Sequence, residues 1–262
     1  MNISYFIANP TGNTTLLVES PAEKRDYKKI ADRLMALNPE AEQAGFIGSD
    51  ENGCFLNMAG GEFCGNASMC AAAVFAEKQG IKPGEKSAVT LNVSGAGEPV
   101  DVLVFSKGNR AFECEIEMPG AKRITTYDFF FEGGNYTLPV VESDGISHIV
   151  FEGMMPEKAA EKAIVQWCEN LNTGCLGIMF ADYENNSLTP LVYAKNAGTL
   201  FWESSCASGT TAAGIYLAEK NGGEADISLS QPGGALRVRV KKDSRPVLCG
   251  SVIIEKNITA EI

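Results

Sequence analysis

A chain of 262 residues with a net charge of −11 and a single histidine, His148, lacks the basic surplus of a nucleic-acid binder and the residues for a multi-histidine metal site. Its length suits one large domain or two of moderate size. No run of about 18 apolar residues is present to span a membrane, and no CxxC pair is present to build a zinc ribbon or a thioredoxin-type centre.

The opening MNISYFIANPTGN has neither the basic region nor the long apolar stretch of a signal peptide. The chain is therefore expected in the cytoplasm, with its eight cysteines reduced. The first helix is predicted over SPAEKRDYKKIADRLMALNP, with Ser20 as N-cap, Pro21 in the first turn and Glu23 completing a capping box. Tyr27, Ile30, Leu34 and Leu37 would line its buried face. A second helix follows Cys64. Strands are predicted over AVTLNVSG, PVDVLVFS and AFECEIEM. A division near MPGAKR, residues 118–123, would leave residues 1–118 with the C-terminal strand 250–262 in one domain and 119–249 in the other. Beyond it come a Pro-initiated amphipathic helix at MPEKAAEKAIVQWCENLN, strands at LTPLVYAK, ALRVRVKK and GSVIIEKN, and a helix behind Cys206. The class is α+β, with mostly antiparallel strands.

The two cysteine-headed segments match each other. CGNASMCAAAVFAEKQG, from Cys64, aligns without a gap on CASGTTAAGIYLAEKNG, from Cys206, at an offset of 142 (206 − 64). Both begin with a cysteine and small residues and end on a glycine suited to a helix C-cap. The chain reads as a duplication, giving two pseudo-symmetric halves.

A helix N-terminus carries free N–H groups and partial positive charge. A cysteine placed there has a lowered pKa, and the same N–H groups can hold a carboxylate. Two such ends facing each other would place a sulfur on each side of an α-carbon. One thiolate removes the α-proton, the other thiol returns one to the opposite face, and the centre inverts without a cofactor or metal. Cys64 and Cys206 are thus the candidate catalytic pair. Cys54, Cys70, Cys114, Cys168, Cys175 and Cys249 read as small buried hydrophobes.

Several motifs, in order, carry a resemblance over nearly the whole chain. Gly12-Asn13, FLNMAGGEFCGNASMC, GISHIVFEG, VYAKNAG, SSCASGTTAAG and GSVIIEKN are similar to segments of the diaminopimelate epimerase family of cofactor-independent two-cysteine racemases and epimerases. The resemblance implies two domains of the diaminopimelate epimerase fold, each a strand barrel around a central helix, and catalysis by Cys64 and Cys206. It implies a substrate α-carboxylate on the backbone of Gly65, Asn66, Ala207, Ser208 and Gly209, with Asn13 and Asn57 among the substrate-binding residues. His148 matches the motif histidine, as a base or an orienting group. The family's grip on a distal carboxylate is largely missing: its amide positions fall on Ile146 and near Gly177, and its Glu-Arg pair on Ala194-Lys195. Glu203, three residues before Cys206, could replace the lost acid. EAEQAGFIG, residues 40–48, resembles the histidine racemases of this fold. Histidine is therefore the first substrate expected, diaminopimelate the second, and proline or hydroxyproline the third.

Two readings of other kinds are weaker. A non-catalytic amino-acid binder would not need both cysteines, and a thiol–disulfide oxidoreductase would need a resolving partner. A pyridoxal-phosphate enzyme leaves no local pattern to exclude it, but the duplication makes it unnecessary. The expected partner is a free amino acid, with no nucleic acid and no membrane; a homodimer stays open.

Overall fold

The computed structural model describes residues 2–195 and 198–262. It is a mixed α+β protein, mostly strands, with four α-helices among the described residues. Two compact units are formed by residues 1–117 with 249–262 and by 118–248.

The first unit contains β1 (Asn2–Pro10), β2 (Thr15–Val18), α1 (Tyr27–Leu37), β3 (Gln43–Asp50), β4 (Gly53–Met58), α2 (Gly65–Lys78), β5 (Lys86–Val93), β6 (Val100–Gly108) and β7 (Ala111–Glu117). Most of the last strand, Val247–Glu261, returns to it as β16. The strands hydrogen-bond in the order β1 to β7 and then β16, and β1 also pairs with β16, so the ring closes. Only β2–β3 and β4–β5 are parallel among the registers described in this unit. Alternation explains β5 and β6: Val89, Leu91, Val93, Val100, Val102 and Val104 point inward, and the residues between them are more exposed. Inside lies α2, packed against β1, β2, β4, β5, β6 and β7. From Gly65 to Ala76 every residue of α2 is buried. Eight of these twelve residues are Ala, Gly, Ser or Cys, which keeps the helix slim enough to be surrounded.

The second unit contains β8 (Arg123–Phe131), β9 (Gly134–Glu142), β10 (Ser147–Glu152), α3 (Glu157–Asn170), β11 (Cys175–Asp182), β12 (Ser187–Ala194), β13 (Thr199–Trp202), α4 (Ala207–Lys220), β14 (Ala225–Gln231) and β15 (Gly234–Val240). Its strand order is β15-β14-β12-β11-β10-β9-β8, with β13 added to β12. Helix α4 packs against β9, β10, β11, β14 and β15. Trp167 of α3, fully buried, packs with Phe129 and Tyr136 to fill a second core.

All six strands read from alternation are present, and so are the four helices. The start of α1 differs from expectation. A 3₁₀ turn at Lys24–Asp26 precedes Tyr27, and no side chain caps the helix. The Ser20 hydroxyl instead accepts the Ser4 amide of β1. Leu37 is 58% exposed, since α1 ends there. Cys54, Cys175 and Cys249 are partly exposed rather than buried.

Candidate active site

Cys64 is the N-cap of α2 in extended conformation (φ −133°, ψ 112°), and its sulfur accepts the Ala67 amide at 3.4 Å. Cys206 is the N-cap of α4 with nearly the same backbone (φ −126°, ψ 110°), and its sulfur accepts the Gly209 amide at 3.3 Å. Both helices run 14 residues. Each sulfur therefore occupies the place a Ser or Asp oxygen takes in an ordinary cap, where positive charge from the first turn favours a thiolate. The Gly209 amide, expected to hold a substrate carboxylate, donates to sulfur instead.

Around Cys64 the first unit builds a polar nest. Its thiol donates to Gln43 Oε1 at 3.0 Å, and its carbonyl accepts the Ser68 hydroxyl at 2.7 Å. Gln43 Nε2 donates to Asn13 Oδ1 and to Thr15 Oγ1. Asn13, buried behind the β1–β2 turn, donates to Glu42. Gly65 and Asn66 are buried in the first turn of α2. Asn57, on β4, bonds the Tyr27 hydroxyl. The chain entering Cys64 is held from below: Ser94 Oγ accepts the Met58 amide and donates to the Glu62 carbonyl.

Around Cys206 the second unit builds another nest. The Cys206 amide donates to Gln231 Oε1 at 2.9 Å, and Gln231 Nε2 donates to Thr210 Oγ1. The Ser208 hydroxyl lies 3.5 Å from the Cys206 sulfur and 3.1 Å from His148 Nε2. Ala207 is buried and Ser208 partly exposed. The Cys206 thiol is pushed well above its ordinary range, first by burial and then by the charge and hydrogen bond of Glu203; Ser208 and the Gly209 amide oppose the shift without overcoming it. This corrects the expectation of a lowered value at a helix head: desolvation and a neighbouring carboxylate outweigh the helix here. Burial lowers His148 to about 4, so it is neutral near pH 7. So low a value makes it a weak base and suits it better to a hydrogen-bonding partner of Ser208.

The replaced positions are distributed. Gly177 lies under the His148 ring, and a Cβ there would come within 2.8 Å of His148 Cδ2. Lys195 turns to Glu169 of α3 at 2.7 Å. Ile146 lines a cavity of about 370 Å³ with Arg123, Glu142 and Thr173, and none of Cys206, Ser208 or His148 lines it. Asn196 and Ala197 of the VYAKNAG motif lie outside the described residues. Sequence reasoning missed Gln43, Glu42 and Gln231, because a Gln in a strand carries no signal of what it faces. Among the described residues no cluster of three or more His, Cys, Asp or Glu could hold a metal ion.

The architecture places the chain among the racemase and epimerase type of α+β folds. A predicted epimerase from Pseudomonas aeruginosa superposes with a TM-score of 0.71 at 13% identity, covering 99% of each chain. A hydroxyproline epimerase from Agrobacterium vitis gives 0.69 at 10% identity, covering 99% of this chain and 92% of the other. At such identities the likeness is one of fold.

The sequence comparison is narrower. The family model described as histidine racemase CntK N-terminal domain matches residues 2–260. A histidine racemase of Fusobacterium nucleatum subsp. nucleatum is 33% identical over 249 residues, 92% of this chain and 90% of that protein. The chain belongs to the histidine racemase family, a family of isomerases.

Proposed function

We propose that this protein interconverts L- and D-histidine, with Cys64 and Cys206 as its two acid–base groups and no pyridoxal phosphate or other cofactor. The observation that carries the mechanism is the shared cap: two sulfurs, each at the head of a 14-residue helix, each accepting the amide three residues on. Family membership supports the substrate.

One cysteine, as thiolate, takes the α-proton, and the other, as thiol, delivers a proton to the opposite face. The roles exchange in the reverse reaction. Charge developing on the α-carboxylate is met by amides of the first turns, Gly65 and Asn66 in α2 and Ala207 and Ser208 in α4. Burial and the Glu203 charge hold the proton on Cys206. Because substrate and product are enantiomers, the equilibrium constant is one, and kcat/KM must be equal in the two directions whatever the resting state. Histidine fits a chain in which the family's distal-carboxylate positions fall on Ile146, Gly177 and Ala194-Lys195. Lys195 is engaged with Glu169, and a buried carboxylate left without its partner costs several kcal/mol.

The diaminopimelate epimerase arrangement of two related barrels is part of this reading. The closed strand ring around α2 supports it. So is a cytoplasmic location: no helix among the described residues is long and apolar enough to cross a membrane. A homodimer and the absence of nucleic-acid partners are proposed on the same footing, from the family likeness and the acidic charge.

The test is chiral chromatography after incubation with L-histidine, LL-diaminopimelate, L-proline or hydroxyproline at equal concentration. The reading predicts fastest racemisation of histidine. Faster epimerisation of diaminopimelate, or of proline or hydroxyproline, would transfer the activity to that substrate. No change of configuration in any of them would contradict the racemase reading.

A further inference from the structure

We propose that Gln43 is a positioning residue for Cys64, oriented by a hydrogen-bond chain that begins at the Glu42 carboxylate. The direction of every bond in the chain is set by its charged end. A carboxylate can only accept, so Asn13 must present its NH₂ to Glu42 and its carbonyl to the next residue. Gln43 meets that carbonyl with its own NH₂. The second Gln43 N–H goes to Thr15 Oγ1 at 2.8 Å, and Thr15 in turn donates to the Asn13 backbone carbonyl at 3.0 Å. Both Gln43 donors are then used, and only its carbonyl oxygen is left to face Cys64. The 3.0 Å contact to sulfur is consequently S–H donating to Oε1. A flipped Gln43 would trade its two N–H bonds to Asn13 and Thr15 for one weaker N–H contact to sulfur, and would set its carbonyl against the Asn13 side-chain carbonyl.

Gln43 and the Ala67 amide therefore act on the Cys64 sulfur in opposite senses. The Ala67 amide donates to it and favours thiolate. The Gln43 carbonyl accepts from it and favours thiol. Cys70, on the same helix, also interacts electrostatically with Cys64 and is kept neutral by its burial. Gln43 holds the proton on Cys64 and aims it until substrate arrives. Asn13 and Glu42 act only through Gln43.

The inference rests on Cys64 being one of the two bases, but its test does not use turnover. Purified protein is treated with iodoacetamide at neutral pH, and the rate of Cys64 modification is read by peptide mass spectrometry, with unfolded protein as the reactivity control. Gln43→Met keeps the volume and removes the acceptor; Cys64 should be modified about fivefold faster, as expected for loss of one neutral hydrogen bond. Gln43→Glu keeps the shape and supplies a charged acceptor; modification should slow by a similar factor or more. Asn13→Leu frees Gln43 to turn and should move the rate as Gln43→Met does, by less. A merely structural Gln43 gives both of its variants the same sign, which overturns the proposal, as does no change beyond twofold. Circular dichroism selects folded variants. Should Gln43→Glu fail to fold, opposite signs for Gln43→Met and Asn13→Leu overturn the proposal and matching signs support it. If Cys64→Ser racemises normally while these rates move as stated, the two-cysteine mechanism fails and the Gln43 chain stands.

Discussion

Gly177 and His148 are a fitted pair: a β-carbon on Gly177 would lie 2.8 Å from His148 Cδ2 and 3.5 Å from Nε2, with Met179 Cε at 2.9 Å, so the imidazole and the Met179 methyl occupy the space a side chain at position 177 would take. The backbone of Gly177 needs no left-handed angle, so the glycine is there for room. Room for the ring is what lets Nε2 reach Ser208, and Ser208 reach Cys206. Gly177→Ala should destabilise the protein by about 1–3 kcal/mol through overpacking. His148→Ala made in the same chain should recover part of that loss, because the ring shares that space with the flexible Met179 side chain. Denaturant unfolding of the two single variants and the double variant checks this; additive effects would show that the ring moves aside freely.

Gly95 supports Cys64 in a comparable way, from below. It has φ +74°, and a β-carbon would come within 2.3 Å of the Phe63 amide nitrogen and 2.6 Å of the Glu62 carbonyl carbon. Those atoms are backbone and cannot rotate away. Gly95→Ala should cost several kcal/mol, from left-handed strain and the clash together. In protein that remains folded, racemase activity should fall because residues 62 and 63 lead directly into the cap. Activity and melting temperature measured together test it, and unchanged values for both would contradict the contact.

Acid should weaken the fold through His148. Its folded value is near 4, against 6.5 in the open chain. The unfolded chain takes up a proton as pH falls below 6.5 while the folded one does not until about 4. The stabilisation is therefore complete above the upper value, is lost as pH falls through this window, and amounts to roughly 3 kcal/mol when fully lost. Unfolding free energy measured across the window should fall less in His148→Gln, which cannot take up that proton.

Glu203 should govern the Cys206 proton. Glu203→Gln removes a charge that raises the thiol, so Cys206 should ionise at lower pH, visible as ultraviolet thiolate absorbance. The values of kcat/KM for L- and D-histidine should change together, since their ratio is fixed. An unshifted Cys206 titration would place the Glu203 charge elsewhere.

Much of this site was legible because its signals are local. A cysteine followed by Gly, Asn, Ala and Ser and then an alanine-rich run specifies an N-cap and a slim helix, and the repeat at offset 142 points to the same geometry twice. Alternation revealed β5, β6, β7, β12 and β15. Buried strands such as β2 and β11 read as plain apolar runs and left no alternating signal. The start of α1 was misread because Ser20 serves a neighbouring strand, which is a tertiary choice. Gln43 and Gln231 escaped for the same reason: each contacts its cysteine across 21 or more residues of sequence. The resting state of Cys206 depends on burial, which no cap motif encodes.

The most direct test of the two-cysteine mechanism is α-proton exchange in deuterated water, followed by NMR, for Cys64→Ser and Cys206→Ser with each enantiomer of histidine supplied separately. Wild-type protein should wash deuterium into both enantiomers. Each variant should lose racemisation by roughly a hundred- to ten-thousandfold, the usual worth of a positioned acid or base. Each should retain exchange with one enantiomer only, and the two variants should retain opposite ones. Near-normal racemisation in either variant, or exchange of the same enantiomer in both, would contradict the assignment of Cys64 and Cys206 to the two faces of the α-carbon.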